Sequence, residues 1–146
     1  TLMGGDRPLR VFDNIAIGRN GAGPDKRMAD DRTPTGRYRI SHVTTDTRYH
    51  RFIGIDYPNA RDAERGLAAG LIDRAAYAAI LGAIRAGRRP PQATGLGGQL
   101  GIHGLGAGEP RIHAAFNWTE GCVALTNAQI DELAEWVEPG MVVVIE

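Results

Sequence analysis

The chain has 146 residues, and its 17 basic and 17 acidic side chains cancel to no formal net charge, so nothing in the overall charge points to nucleic acid or another polyanion as a partner. The length suits one domain, residues 1–146, with a single core, and no apolar run approaches the roughly 20 residues of a membrane span. The lone cysteine permits no internal disulfide, so cysteine usage assigns no compartment.

In chain order, Thr1–Asp6 reads as half of a hairpin turning at Gly4-Gly5-Asp6. It lacks a start methionine, which predicts a chain trimmed of its targeting segment. Val11, Phe12, Ile15 and Ile17 suggest a strand between Leu9 and Gly18, followed by a polar loop from Arg19 to Arg32. Thr33-Pro34-Thr35-Gly36 is a turn leading into a strand at Arg37–Ile40, and Phe52–Pro58 is another short strand. Asp73 reads as the N-cap of a helix, with Ala76, Tyr77, Ile80, Leu81 and Ile84 at helical spacing and Gly87 as its stop. Arg85, Arg88 and Arg89 suit the negative end of that helix, and Pro90-Pro91 prevents its continuation. Thr94–Gly101 is glycine-rich but lacks the context of a phosphate-binding loop, so nucleotide binding is rejected.

Gly101-Ile102-His103 reads as a strand, and Cys122–Leu125 as a short strand beside it. The intervening loop of about eighteen residues is long enough to suggest a lid or binding loop. Thr126 and Gln129 have capping-box spacing ahead of a second helix whose buried stripe is Ile130, Leu133, Ala134 and Val137. Gly140 ends it, and Met141–Ile145 is a continuous apolar run suited to a core strand. Mostly strands, with two helices packed outside, give a mainly β or α+β domain.

The chemistry concentrates around Cys122. A thiol is a nucleophile only as thiolate, and an imidazole within hydrogen-bond reach can take its proton if a third group fixes the ring's tautomer. Gly121, lacking a Cβ, lets the chain turn tightly and lets a substrate approach main-chain amides. His113 is either a participant or merely carried by the loop. His103, His113, Glu120 and Cys122 are four conceivable zinc ligands, but no spacing preorganises them, so no metal and no cofactor is expected. No Gly-x-Ser-x-Gly elbow supports serine hydrolysis.

His103-Gly104, followed at this distance by Thr119-Glu120-Gly121-Cys122-Val123, resembles the signature of the L,D-transpeptidase (YkuD-type) catalytic domain. Thr33-Pro34-Thr35-Gly36-Arg37-Tyr38-Arg39-Ile40 and Tyr57-Pro58-Asn59 with Asp62 resemble further runs of that family. The resemblance implies a β-sandwich or barrel-like core, with Cys122 as nucleophile, His103 as its base and Gly104 supplying the carbonyl that holds the imidazole. It also places the amides of Glu120, Gly121 and Cys122 at the oxyanion. Thr119, Trp118 and Tyr57 are further substrate-binding candidates, and for Tyr57, before proline at a strand end, packing in the core or at its rim is the favoured alternative to lining a pocket. Two positions depart from the commonest form of the motif: Glu120 replaces a histidine and Ala124 an arginine. Cys122-Val123-Ala124-Leu125-Thr126-Asn127 therefore resembles a sub-branch.

What the resemblance implies in function is acyl transfer on peptidoglycan stem peptides through a thioester, giving a cross-link or a wall-anchored protein. Carbapenem-type β-lactams would be covalent inhibitors, and the location would be the periplasm or cell envelope. An L,D-carboxypeptidase or cross-link hydrolase using the same site, and a cell-wall binding module without chemistry, remain alternatives.

Overall fold

The computed structural model describes residues 1–146. An N-terminal hairpin of β1 (Leu2–Gly4) and β2 (Arg7–Arg10) stands apart from the main sheet, its strands antiparallel. The expected strand from Leu9 to Gly18 does not form as one element. Beyond β2 the only strand-type pairing the chain makes with the body is two single bridges, Ala16 to Ala124 and Gly18 to Thr119, and Val11 and Ile15 are exposed. Its four apolar residues had suggested the strand by type, but Asn14 has a positive φ of 52°, which breaks an extended run. A short parallel pair follows, β3 (Ala22–Gly23) and β4 (Thr33–Pro34), closing the loop between them.

The body is a curled sheet of five strands, in the order β8-β7-β6-β5-β9. Its long member is β5 (Gly36–Thr44), flanked by β6 (Phe52–Ile55). Next come the helices α1 (Ala60–Ala68) and α2 (Arg74–Arg85), then β7 (Gly101–His103). A short helix α3 (Pro110–Ala115) precedes β8 (Val123–Ala124), and α4 (Asn127–Ala134) precedes β9 (Val142–Ile145). The sheet is antiparallel except at β7–β8, which runs parallel and sets Ile102 beside Val123 and His103 beside Ala124. This is a half-barrel with helices outside, an α+β arrangement.

Four helices form where two were expected. The signal for α1 was short and local: Asn59 accepts from the Asp62 amide while the Asp62 carboxylate accepts from the Asn59 amide, a reciprocal cap on a helix of few large apolar residues. Helix α3 lies in the segment read as an open loop; Glu109 caps it and Pro110 sits in its first turn, where no amide partner is needed. Asp73 caps α2 through the Ala76 amide at 2.8 Å, and Thr126 with Gln129 forms the expected capping box on α4.

Two apolar clusters fill the interior. Tyr38, Ile55, Tyr57, Ile80, Leu96 and Leu100 lie on the side of α1 and α2. Ile40, Ile53, Leu125, Ile130 and Leu133 lie against α4. Strand β9, expected in the core, is instead the sheet's edge, paired only with β5. Its residues alternate: Val143 and Ile145 pack on the core, while Val144 is 53% exposed. Continuous apolarity did not distinguish the two faces of an edge strand from two buried ones.

Candidate functional site

Strand β7 delivers His103 and the residue before β8 is Cys122, so the parallel pairing of these strands brings both side chains to one wall of an open cleft of about 750 Å³. Thr119, Glu120, Lys26, Tyr49, Phe52 and Gln99 line the same cleft. The imidazole of His103 is 2% exposed. Its Nδ1 lies 2.7 Å from the Gly104 carbonyl. A carbonyl only accepts, so Nδ1 carries the hydrogen and Nε2 is left as the basic nitrogen. The ring is gripped by aromatics: Tyr49 stacks on it at 4.1 Å, Phe52 stacks at 6.1 Å, and Trp118 meets it edge-on at 5.8 Å. Burial holds the imidazole below its ordinary pKa against the opposing Gly104 hydrogen bond, and Arg48 and His113 push the same way as burial.

Gly104 has no room for a side chain. A Cβ there would stand 2.7 Å from the Tyr49 carbonyl oxygen and 2.8 Å from Asn127 Oδ1. Asn127 in turn accepts from the Leu105 and Gly106 amides at 2.8 and 2.9 Å and donates to the Gly106 carbonyl, fastening the chain just beyond the His-Gly pair.

The turn carrying Cys122 is braced by Thr119, which is 3% exposed. Its hydroxyl donates to the Cys122 carbonyl at 2.6 Å and accepts from the Gly121 amide at 3.2 Å. The Gly121 amide, expected among the oxyanion donors, is thus committed to Thr119. The amides of Glu120 and Cys122 have no acceptor within the chain. Gly121 adopts φ of +132°, and a Cβ would stand 2.7 Å from the Arg32 carbonyl oxygen, so glycine is required by conformation and by space alike.

Cys122 is half-buried, and its Sγ lies 3.7 Å from the Gln99 carbonyl. Burial pushes the thiol up to about 11; the Gly101 amide and the Lys26 charge oppose that, and Glu120 adds to it. Burial thus favours the uncharged form of both side chains, the thiol of Cys122 and the neutral imidazole of His103.

A sequence profile of the YkuD family, the L,D-transpeptidase catalytic domain, matches residues 1–145. The chain belongs to the YkuD L,D-transpeptidase catalytic-domain family. No curated protein matches it. Among solved structures, that titled "Structure of Bdellovibrio bacteriovorus Bd1075" is similar in fold, with a TM-score of 0.50 at 18% identity over 90% of this chain. The chain spans 37% of the length of that structure.

Within this YkuD domain the remaining expected residues fall in different places. Tyr57, expected to bind substrate, is fully buried; its hydroxyl donates to the Leu96 carbonyl at 2.9 Å and its ring packs on Tyr38. Of the two readings of this residue, pocket lining and core packing, its position is that of core packing, beside Ala63 of α1. Trp118 supports the His103 ring, and its indole N–H donates to His113 Nδ1 at 3.3 Å. His113 Nε2 donates to the Asn14 carbonyl at 2.7 Å, so one of its nitrogens ties α3 to the N-terminal segment and the other receives the Trp118 indole. Glu120 is exposed at the cleft rim. No three His, Cys, Asp or Glu side chains converge in a metal-binding group.

Lys26, Tyr49 and Gln99 carry no motif and come to the site only through the fold, and Asn127, the last residue of the run from Cys122, had no role read from it. The one local hint was Lys26 with Asp30 four residues later, a spacing common on solvated surfaces. No helix is long and apolar enough to cross a membrane.

Proposed function

We propose that the domain is a cysteine-dependent L,D-transpeptidase acting on peptidoglycan stem peptides in the cell envelope, with Cys122 as nucleophile and His103 as general acid and base. The observation that carries this reading is that one cleft is lined by both Cys122 and a His103 whose Nδ1 is tied to Gly104, which leaves Nε2 basic.

The thiol attacks the carbonyl carbon of an L-centre adjoining a D-residue. Because the resting thiol is held high, its proton passes to His103 Nε2 as the S–C bond forms. The free amides of Glu120 and Cys122 are the donors available to the negative oxygen. As the tetrahedral centre collapses, the C–N bond breaks and the leaving amine departs with the proton from His103. The thioester is then attacked by an acceptor amine, which His103 deprotonates, regenerating the thiol and forming a cross-link or an anchored protein. Water in place of the amine would make the same site a carboxypeptidase or cross-link hydrolase, and the mass of the product separates these outcomes.

The test is intact-protein mass spectrometry after incubation with a stem tetrapeptide and, separately, a carbapenem-type β-lactam. An adduct on the parent chain that is absent in Cys122→Ser supports acyl transfer. A folded chain that binds the peptide yet forms no adduct with either compound refutes it, and leaves a binding module.

A further inference from the structure

Lys26 lies in the loop before β4 and is only 3% exposed, yet it lines the cleft together with Cys122 and His103. A lysine enclosed to that degree stays charged only beside a partner, and Asp30 Oδ1 stands 2.6 Å from Nζ. Asp30 is itself anchored by the Arg27 and Arg32 amides at 2.8 and 3.0 Å. Burial raises its carboxyl, but the Lys26 hydrogen bond and the two amides outweigh that and hold it below its ordinary range. The loop thereby spends a buried carboxylate on fixing one ammonium. That ammonium is aimed at the nucleophile's turn: Nζ lies 3.3 Å from the place a Cβ on Gly121 would take, one residue before Cys122.

We propose that Lys26 is a positioning residue for the nucleophile: held against the Gly121 turn by Asp30, its ammonium supplies the local positive charge that favours the thiolate of Cys122. The inference builds on Cys122 as the reacting group. The other ionisable groups around this cleft are Asp31 from the same loop, His42 and Asp46 from β5 and the turn after it, His103 from β7 and Glu120 from the cysteine's own turn. Tyr49, from the segment before β6, also faces it. Glu120 acts against the thiolate, and Lys26 is the one lysine or arginine among the residues lining this cleft. It gives the site a cation from a distant loop, where position 124, two residues after the cysteine, holds only alanine.

The experiment reads the sole cysteine directly, as the rate of its alkylation by iodoacetamide against pH, with circular dichroism as the control for folding. An opposite charge at short range moves a titration by at least about one unit, so Lys26→Met should alkylate about tenfold more slowly at pH 8. Asp30→Asn leaves one acceptor oxygen where two now serve the Arg27 and Arg32 amides, and it removes the counter-charge that keeps the buried ammonium charged and in place, so it too should alkylate more slowly than the parent. A purely structural ion pair would instead leave the pH dependence of alkylation unmoved in both folded variants. That result, or a Lys26→Met rate within about twofold of the parent, overturns the proposal. Should Asp30→Asn not fold, Lys26→Arg decides: a rate closer to the parent than Lys26→Met supports it, and one as slow as Lys26→Met sinks it. Because the assay needs no peptide, a thiol that responds as expected yet never forms the stem-peptide or carbapenem adduct counts against the proposed acyl transfer and not against Lys26.

Discussion

Replacing Thr119 by valine keeps the side chain's shape and removes only its hydroxyl. That hydroxyl is almost fully buried and makes two hydrogen bonds, to the Cys122 carbonyl at 2.6 Å and from the Gly121 amide at 3.2 Å. The substitution strands one buried donor and one buried acceptor, each costing about 1–3 kcal/mol when left unpaired. The added methyl group returns about 0.8 kcal/mol. The net loss is then about 1–5 kcal/mol, which for a domain of this size lowers Tm by about 3–17 °C. Urea unfolding should show the midpoint falling at unchanged slope, since the surface exposed on unfolding is the same. Thr119→Ser retains both bonds and should stay within about 1 kcal/mol of the parent. The turn carries Cys122, so adduct formation should fall in the valine variant and survive in the serine one. A valine variant losing less than about 0.5 kcal/mol would show that the hydroxyl does not brace this turn.

Gly121→Ala forces a side chain into a positive-φ position with an Arg32 carbonyl 2.7 Å from the new Cβ. A loss of about 1–3 kcal/mol in urea unfolding is expected, with loss of the peptide adduct, and an alanine variant of parental stability and activity would contradict the geometry. The pH dependence has two signs. Burial depresses the His103 pKa, so stability is present above the ordinary imidazole value of 6.5 and is lost as pH falls through the lower folded value. His103→Gln should remove that acid-side loss, as read by Tm against pH. Cys122 is raised instead, from 9.0 to about 11, so its contribution is intact below pH 9 and is lost as pH rises toward 11. Cys122→Ser should flatten this alkaline limb, and an unchanged slope would show that the thiol is not desolvated.

Local sequence determined the parts of this domain whose physics is local. The caps at Asp73 and Thr126 bond amides three residues away, so their spacing was enough to start α2 and α4. The His103-Gly104 and Thr119–Cys122 runs were equally legible, because a peptide unit next to a side chain is close to it in any fold. Tertiary structure decided what depends on distant segments. It turned Tyr57 inward beside Ala63 of α1 and used the Nε2 of His113 to tie down Asn14. It also made β9 an edge, because the sheet ends there, and apolar content along a strand does not encode how many neighbours it will have. Lys26 is the clearest case. It lies 96 residues from Cys122 in sequence, and only the packing of the loop before β4 against the Gly121 turn gives its charge a thiol to act on.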